Sequence, residues 1–206
     1  LAMAEEPLIA AVQAGAGHFP IIGGSAGDAL AFERTTVLGP NGFTTDAASL
    51  TFVTLPVPFA TMNVTHHKPT DTRLVITEAR PEERVVVEIN GRPAADAYAD
   101  MVGVSREDLT PRLFSEHPVM LRVRDKDYIR SIQRVEEDGS IRFSCAIEKG
   151  LVLRLAHPTR VIESLREAFD HVDTDIGKPD AIIGCDCAAC SSDNARNQRL
   201  RCSALI

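Results

Sequence analysis

Apolar residues recur along the chain at two spacings, one helical and one of period two, and the switches between them mark out its elements. Leu8, Ile9, Ala11 and Val12 share a helical stripe in residues 5–14. Pro7 suits a first turn, where an absent N–H goes unmissed, and Gly15 and Gly17 supply the stop. Pro20, Ile21 and Ile22 read as a short buried strand feeding Gly23, Gly24, Ser25, Ala26, Gly27 and Asp28, a turn with no bulky side chain. Residues 32–38 and 48–55 read as two further strands, with Asn41-Gly42 between them as a hairpin signal that tolerates positive φ. Leu50 and Phe52 fall on one face of 48–55, and Pro56 and Pro58 end it because neither can donate to a ladder.

The polar, proline-interrupted stretch 63–71 divides the chain. Beyond it, 74–78 and 85–89 read as strands around an acidic turn containing Pro81. Asn90-Gly91-Arg92-Pro93 turns into a helix over 94–101 that Gly103 ends. Ser105 and Asp108 have the spacing of a capping box, with Asp in place of Glu or Gln, at the start of 105–114. Pro118 precedes four strands, 119–123, 128–135, 141–146 and 152–155, with Asp138-Gly139 as the strongest hairpin signal. They predict a meander of antiparallel strands. Val161, Ile162, Leu165 and Phe169 make 159–170 an amphipathic helix. Residues 181–187 read as a last buried strand and 193–201 as a polar helix. The fold class is therefore α+β, with mixed or antiparallel sheets packed with helices in two sub-domains, 1–62 and 63–206.

With 206 residues, 44% hydrophobic and 25% charged, the chain can bury a full core and has the make-up of a soluble globular protein. A net charge of −7 argues against a nucleic-acid partner, which calls for a basic face. No apolar run reaches the ~18 residues of a membrane-spanning helix. Residues 1–19 carry Glu5-Glu6 where a signal peptide would be basic. The five cysteines are an odd number and four crowd into the last 22 residues, which is no secreted disulfide framework. That usage points to a reducing, cytoplasmic compartment.

Chemistry is sparse. At Gly23, Gly24 and Gly27 the backbone lacks a Cβ and is free to take positive φ, so it could approach a ligand or form an anion-accepting nest. A plain tight turn beside a core strand is the alternative. The spacing lacks the G-x-G-x-x-G and the Lys-Ser/Thr of nucleotide-binding loops. Ser25 lacks the following helix that a nucleophile elbow demands. Asp125, Asp127, Glu136, Glu137 and Asp138 gather at hairpin ends, where solvated charge is the default. The chain is accordingly expected not to be an enzyme. Cys185-x-Cys187-x-x-Cys190 offers soft ligands for zinc, with the fourth from Cys202 or a histidine. Cys187 and Cys190 also have redox C-x-x-C spacing, and small apolar filling at a strand end is the third possibility. His66 and His67, in the polar connector, are imidazoles suited to a metal or haem iron. His18, His117 and His157 stand at or near prolines, where a hydrogen-bonding role is expected.

GGSAGD, Asn41-Gly42 and the apolar run to Pro58-Phe59 together resemble the last third of a FIST N domain. INGRPAADAYADMVG at 89–103, the strand block after His117 and AIIGCDC at 181–187 resemble its companion FIST C domain. Order and spacing carry the resemblance, which covers nearly the whole chain and leaves most of the FIST N half absent. Asp186-Cys187 matches a strand-end motif of the family, whereas 188–192 departs from the sequence that normally follows. FIST modules are sensory domains of signalling proteins. The resemblance implies a bacterial small-ligand sensor in which residues 23–28 line a pocket. Binding would shift two conformations that a partner histidine kinase or cyclic-nucleotide signalling protein reads. Some FIST proteins similar to this chain are haem-based sensors of nitric oxide that regulate a histidine kinase, which makes His66 or His67 a candidate axial ligand. A metal or thiol sensor on the cysteines and an interaction module that binds nothing small are the alternatives. Strands left without the missing half predict a homodimer or aggregation through open edges.

Overall fold

The computed structural model describes residues 4–17, 19–28, 33–124 and 126–185. They form two compact units, one of residues 64–166 and one of the described residues before 64 and after 166. The elements confirm an α+β chain, and every strand pairing among them is antiparallel.

The unit of residues 64–166 is built on one long strand. β3 (His67–Arg80) buries Leu74 and Ile76 and leaves Val75 outward, the period-two pattern of a sheet with one face on a core. It joins β4 (Val85–Ile89) through a 3-10 turn at Pro81–Glu83, which Arg84 closes in the left-handed conformation with φ 55°. Asn90 and Gly91 both have positive φ, as a two-residue hairpin requires, and bring β5 (Arg92–Pro93) back onto β4. The Asn90 side chain accepts from the Val75 backbone N–H at 2.8 Å, tying that turn to β3.

α2 (Ala94–Val102) lays Ala94, Ala95, Ala97, Tyr98 and Ala99 into the core, and small side chains let it lie close to the sheet. Gly103 ends it in the left-handed region, its N–H donating to the Ala99 carbonyl at 2.8 Å. The stretch expected to follow as one helix divides into a 3-10 turn at Arg106–Asp108 and α3 (Pro111–Glu116). Ser105 uses its hydroxyl on the Asp108 carboxylate rather than on a backbone N–H, and Thr110 caps α3 by accepting from Leu113 N–H. Tyr98 donates its phenol to the His117 carbonyl at 2.6 Å, and its ring meets Phe114 at 5.7 Å.

β6 (Val119–Val123) and β7 (Lys126–Arg130) form one hairpin, and β8 (Ile132–Val135) with β9 (Ile141–Phe143) another. β10 (Val152–Pro158) follows. The order across the sheet is β7-β6-β10-β3-β4-β9-β8, with β5 beside β4. This corrects the expected meander. The hairpins are local, but β10 inserts between β6 and β3, because pairing is chosen by long-range burial rather than by chain order. Leu74, Ile76, Val86, Ile89, Ile141, Phe143 and Leu153 are the heart of the core, with Tyr98 and Phe114 of the helices.

In the other unit, α1 (Glu5–Ala16), the hairpin of β1 (Val37–Gly39) and β2 (Gly42–Thr44), and the later turns of α4 (Val161–Ile176) are regular. The hairpin turns on Pro40-Asn41, one residue earlier than expected, with Gly42 at φ 105°. No described residue of this unit is buried. Three expected strands are overturned here. Ile21 and Ile22 are exposed and outside any strand, 48–55 pairs with no described residue, and of 181–187 the described part, 181–185, is exposed and irregular, with Ile183 at 83%. A strand needs a ladder partner for half its backbone groups, and none of these segments has one among the described residues. The expected helix 193–201 lies outside the described residues.

Tyr98→Phe removes the donor to the His117 carbonyl and leaves a half-buried acceptor unmatched. The expected loss is about 1–2 kcal/mol of unfolding free energy. Urea denaturation followed by far-ultraviolet circular dichroism measures it, and an unchanged midpoint would show that the bond does not hold α2 to the end of α3.

Candidate functional site

The glycine turn follows no buried strand. Gly23, Gly24, Ser25, Ala26 and Gly27 are exposed and Asp28 is half-buried. None of these glycines has positive φ, so the alternating-hand backbone of an anion nest is not formed. A Cβ added at Gly23, Gly24 or Gly27 would meet nothing within 4 Å. Neither backbone conformation nor crowding therefore demands glycine at these three positions. Asp28 closes the turn: one carboxylate oxygen, Oδ2, accepts from the backbone N–H of Glu33 at 2.7 Å and of Arg34 at 3.0 Å.

The histidine pair straddles the end of the connector. His67 begins β3 and is 8% exposed, while His66, just before it, is half-buried. Their rings lie 4.2 Å apart and tilted by 41°. His67 Nε2 is 2.9 Å from the Ser115 carbonyl, so that nitrogen carries the proton and donates. The His66 carbonyl accepts from Thr159 N–H at 2.5 Å. His67 thus serves as a brace between β3 and α3, and its Nε2 does not fit an iron ligand while that bond stands. The imidazole of His66 is the more accessible of the two. Of the cysteine set, Cys185 is exposed, and Cys187 and Cys190 lie outside the described residues. Among the described residues no cluster of three His, Cys, Asp or Glu side chains could hold a metal ion.

The structure also gathers charge that the sequence pattern treated as solvated. At the tip of the β8–β9 hairpin, Asp138 accepts from the Ser140 hydroxyl at 2.5 Å and the Ser140 N–H at 2.9 Å. Arg80 adds a contact at 3.2 Å. These donors, Ser140 first, hold the Asp138 carboxyl down to about 2 from 3.8. Glu136 is lowered as well, chiefly by its hydrogen bond from Arg142, with Arg134 on the same carboxylate. Arg142 also donates to the Glu83 carbonyl at 2.6 Å. Arg84 is buried, its guanidinium donating to the Ser144 carbonyl at 2.8 Å. Lys149 lowers Glu78 through a 2.8 Å bond, and burial pushes the Tyr98 phenol up. These groups fasten β3, β4, β8 and β9 to one another. The contacts of Arg80 with Asp138, Arg142 with Glu83 and Arg84 with Ser144 join residues 58, 59 and 60 apart, so no local pattern announces them.

Residues 1–92 match the family model of the FIST N domain, and residues 94–202 match that of the FIST C domain. No curated protein matched the chain, and neither did any solved structure.

The lowered Asp138 carboxyl fixes the sign of one pH effect. Its contribution to stability is complete above its unfolded value of 3.8 and is lost as pH falls toward about 2. Asp138→Asn should therefore be less stable than the parent near neutral pH, and the two should converge as the pH approaches about 2. Denaturant midpoints across that range measure the gap, and a gap that stays constant would mean that the carboxylate's charge contributes nothing.

Proposed function

This chain belongs to the FIST family, whose members are small-ligand sensory domains of signal transduction, and we propose that it is the sensory part of a bacterial signalling protein. Its ligand contact is the turn of Gly23, Gly24, Ser25, Ala26, Gly27 and Asp28. The observation that carries this assignment is the presence of three glycines that the fold does not require. Glycine in an unstrained position costs stability, because it widens the unfolded ensemble that folding must narrow. A bare, accessible backbone anchored at one end by Asp28 gives a ligand direct access to main-chain N–H and C=O groups. Binding shifts the balance between two conformations, and a partner histidine kinase or cyclic-nucleotide signalling protein responds to the shift. The protein acts in the cytoplasm, catalyses no reaction and associates as a homodimer. Among the described residues no helix is long and apolar enough to cross a membrane.

Two finer ligand identities have named residues and direct assays. A haem that reports nitric oxide would take His66 as its axial ligand, since Nε2 of His67 is committed to Ser115. A metal or thiol sensor would use Cys185 with Cys187 and Cys190, and the exposure of Cys185 suits it.

The assignment rests on a separation of stability from binding. Alanine at Gly23, Gly24 and Gly27 should leave the melting temperature unchanged or raise stability by about 0.4–1 kcal/mol per site. The same variants should lose the thermal shift that a bound small molecule gives, screened with amino acids, organic acids, phosphates and hemin, because a ligand that binds the native state stabilises it. A parent protein that no probe stabilises, or an alanine variant that keeps the full shift, would remove the turn from the site. For haem, hemin titration should give a Soret band that His66→Ala abolishes and His67→Ala retains. The reverse result would assign the iron to His67, and a free-hemin spectrum from the parent would dismiss haem. Metal analysis of freshly purified protein decides the metal form of the cysteine alternative, and thiol titration under oxidised and reduced conditions decides the redox form.

A further inference from the structure

We propose that residues 48–55 are the dimerisation strand of this protein and pair, backbone to backbone, with the same residues of a second copy. The idea rests on the self-association in the proposed function and gives it a surface, but it needs no ligand. The segment alternates like a strand, with Leu50 and Phe52 on one face and Val53 and Leu55 on the other. Its side chains are nonetheless open to solvent: Phe52 is 73% exposed, and Leu50, Val53 and Leu55 are about half or more. Nothing described supplies the ladder, for residues 48–55 make no hydrogen bond among the described residues. A run with unpaired N–H and C=O groups and apolar side chains is a template for another strand.

Two observations choose a second copy as the occupant. The first is charge. Residues 47–67 contain no Asp, Glu, Lys or Arg, in a chain that is 25% charged and carries −7 overall. Two identical copies repel each other over most of their surfaces, and this stretch is where they can meet without like charges opposed. It also lacks any charge by which an acidic or basic partner could be selected. The second is area. Leu50, Phe52, Val53 and Leu55 of the ladder, with Val57, Phe59 and Met62 flanking it, expose roughly 700 Å² per copy in all, an upper bound on what pairing could cover and close to the ~800 Å² per partner of a specific interface. Pro56 and Pro58 then bound the ladder, since neither can donate, and restrict it to 48–55.

The test is analytical ultracentrifugation of the whole chain over a wide concentration range, paired with hydrogen exchange read peptide by peptide. A dimer is expected at high concentration, with amides of 48–55 protected in the dimer and released on dilution. Phe52→Lys with Val53→Lys should weaken the dimer by about tenfold or more. The exchange protection of the β3, β4 and β10 amides should stay as in the parent, which separates lost pairing from lost folding. A monomer at every concentration, a dimer with freely exchanging 48–55 amides, or a double-lysine variant that dimerises as before would each overturn the proposal. Protection of 48–55 in a monomer would also overturn it, by placing the cover within the same chain.

Discussion

β3 takes its ladder hydrogen bonds from two strands, and it changes partner along its length. From His67 to Val75 it pairs with β10, and from Ile76 to Arg80 with β4. At the changeover the Ile76 N–H donates to Leu151 and its carbonyl accepts from Gly150, so no group is stranded. One strand thereby joins the β7-β6-β10 side of the sheet to the β4-β9-β8 side, with Leu74 and Ile76 buried where the two meet. The rule that a buried amide must find a partner governs the rest of the molecule in the same way. Where partners exist, the pattern of apolar residues becomes a sheet. Where they do not, it remains exposed chain.

What the sequence revealed follows that division. β4, β6 and α2 were legible because their limits are set locally, by Asn90-Gly91, by Pro118 and by Gly103 in the left-handed region. β3 was legible only from Leu74 on, because Pro69 and its polar neighbours read as a break. Pro69 is tolerated because β3 has β10 on one side there, while β4 begins its pairing only at Ile76. Residues 128–135 read as one strand, yet the edge changes at Ser131, whose carbonyl accepts from Ser144 N–H. The insertion of β10 between β6 and β3 leaves no local trace at all. Residues 20–22, 48–55 and 181–185 show the converse: strand propensity is local, but a strand is not.

The candidate site divides similarly. The glycines of the turn are visible as letters, but that the fold does not require them is visible only in the folded chain, where a Cβ at any of the three meets open space. Asp28 counted as one more turn residue until its two backbone donors were placed. His67 looked like a free imidazole in a polar linker, and the structure instead makes it an internal brace to Ser115. Asp138 looked solvated and proves to be the centre of a hydrogen-bonded hairpin tip. For Asp28 and His67 the deciding atom belongs to a residue that the local pattern did not connect to it.

The boundary between the two family matches falls at residues 92–94, inside this sheet. β3 and β4 lie in the stretch matched as FIST N, while β9 and β10, to which they are hydrogen-bonded, lie in the stretch matched as FIST C. The unit of inheritance and the unit of folding are therefore offset. Severing the chain at that boundary would unzip two interior ladders rather than release two modules, and β3, β4, β9 and β10 must melt together.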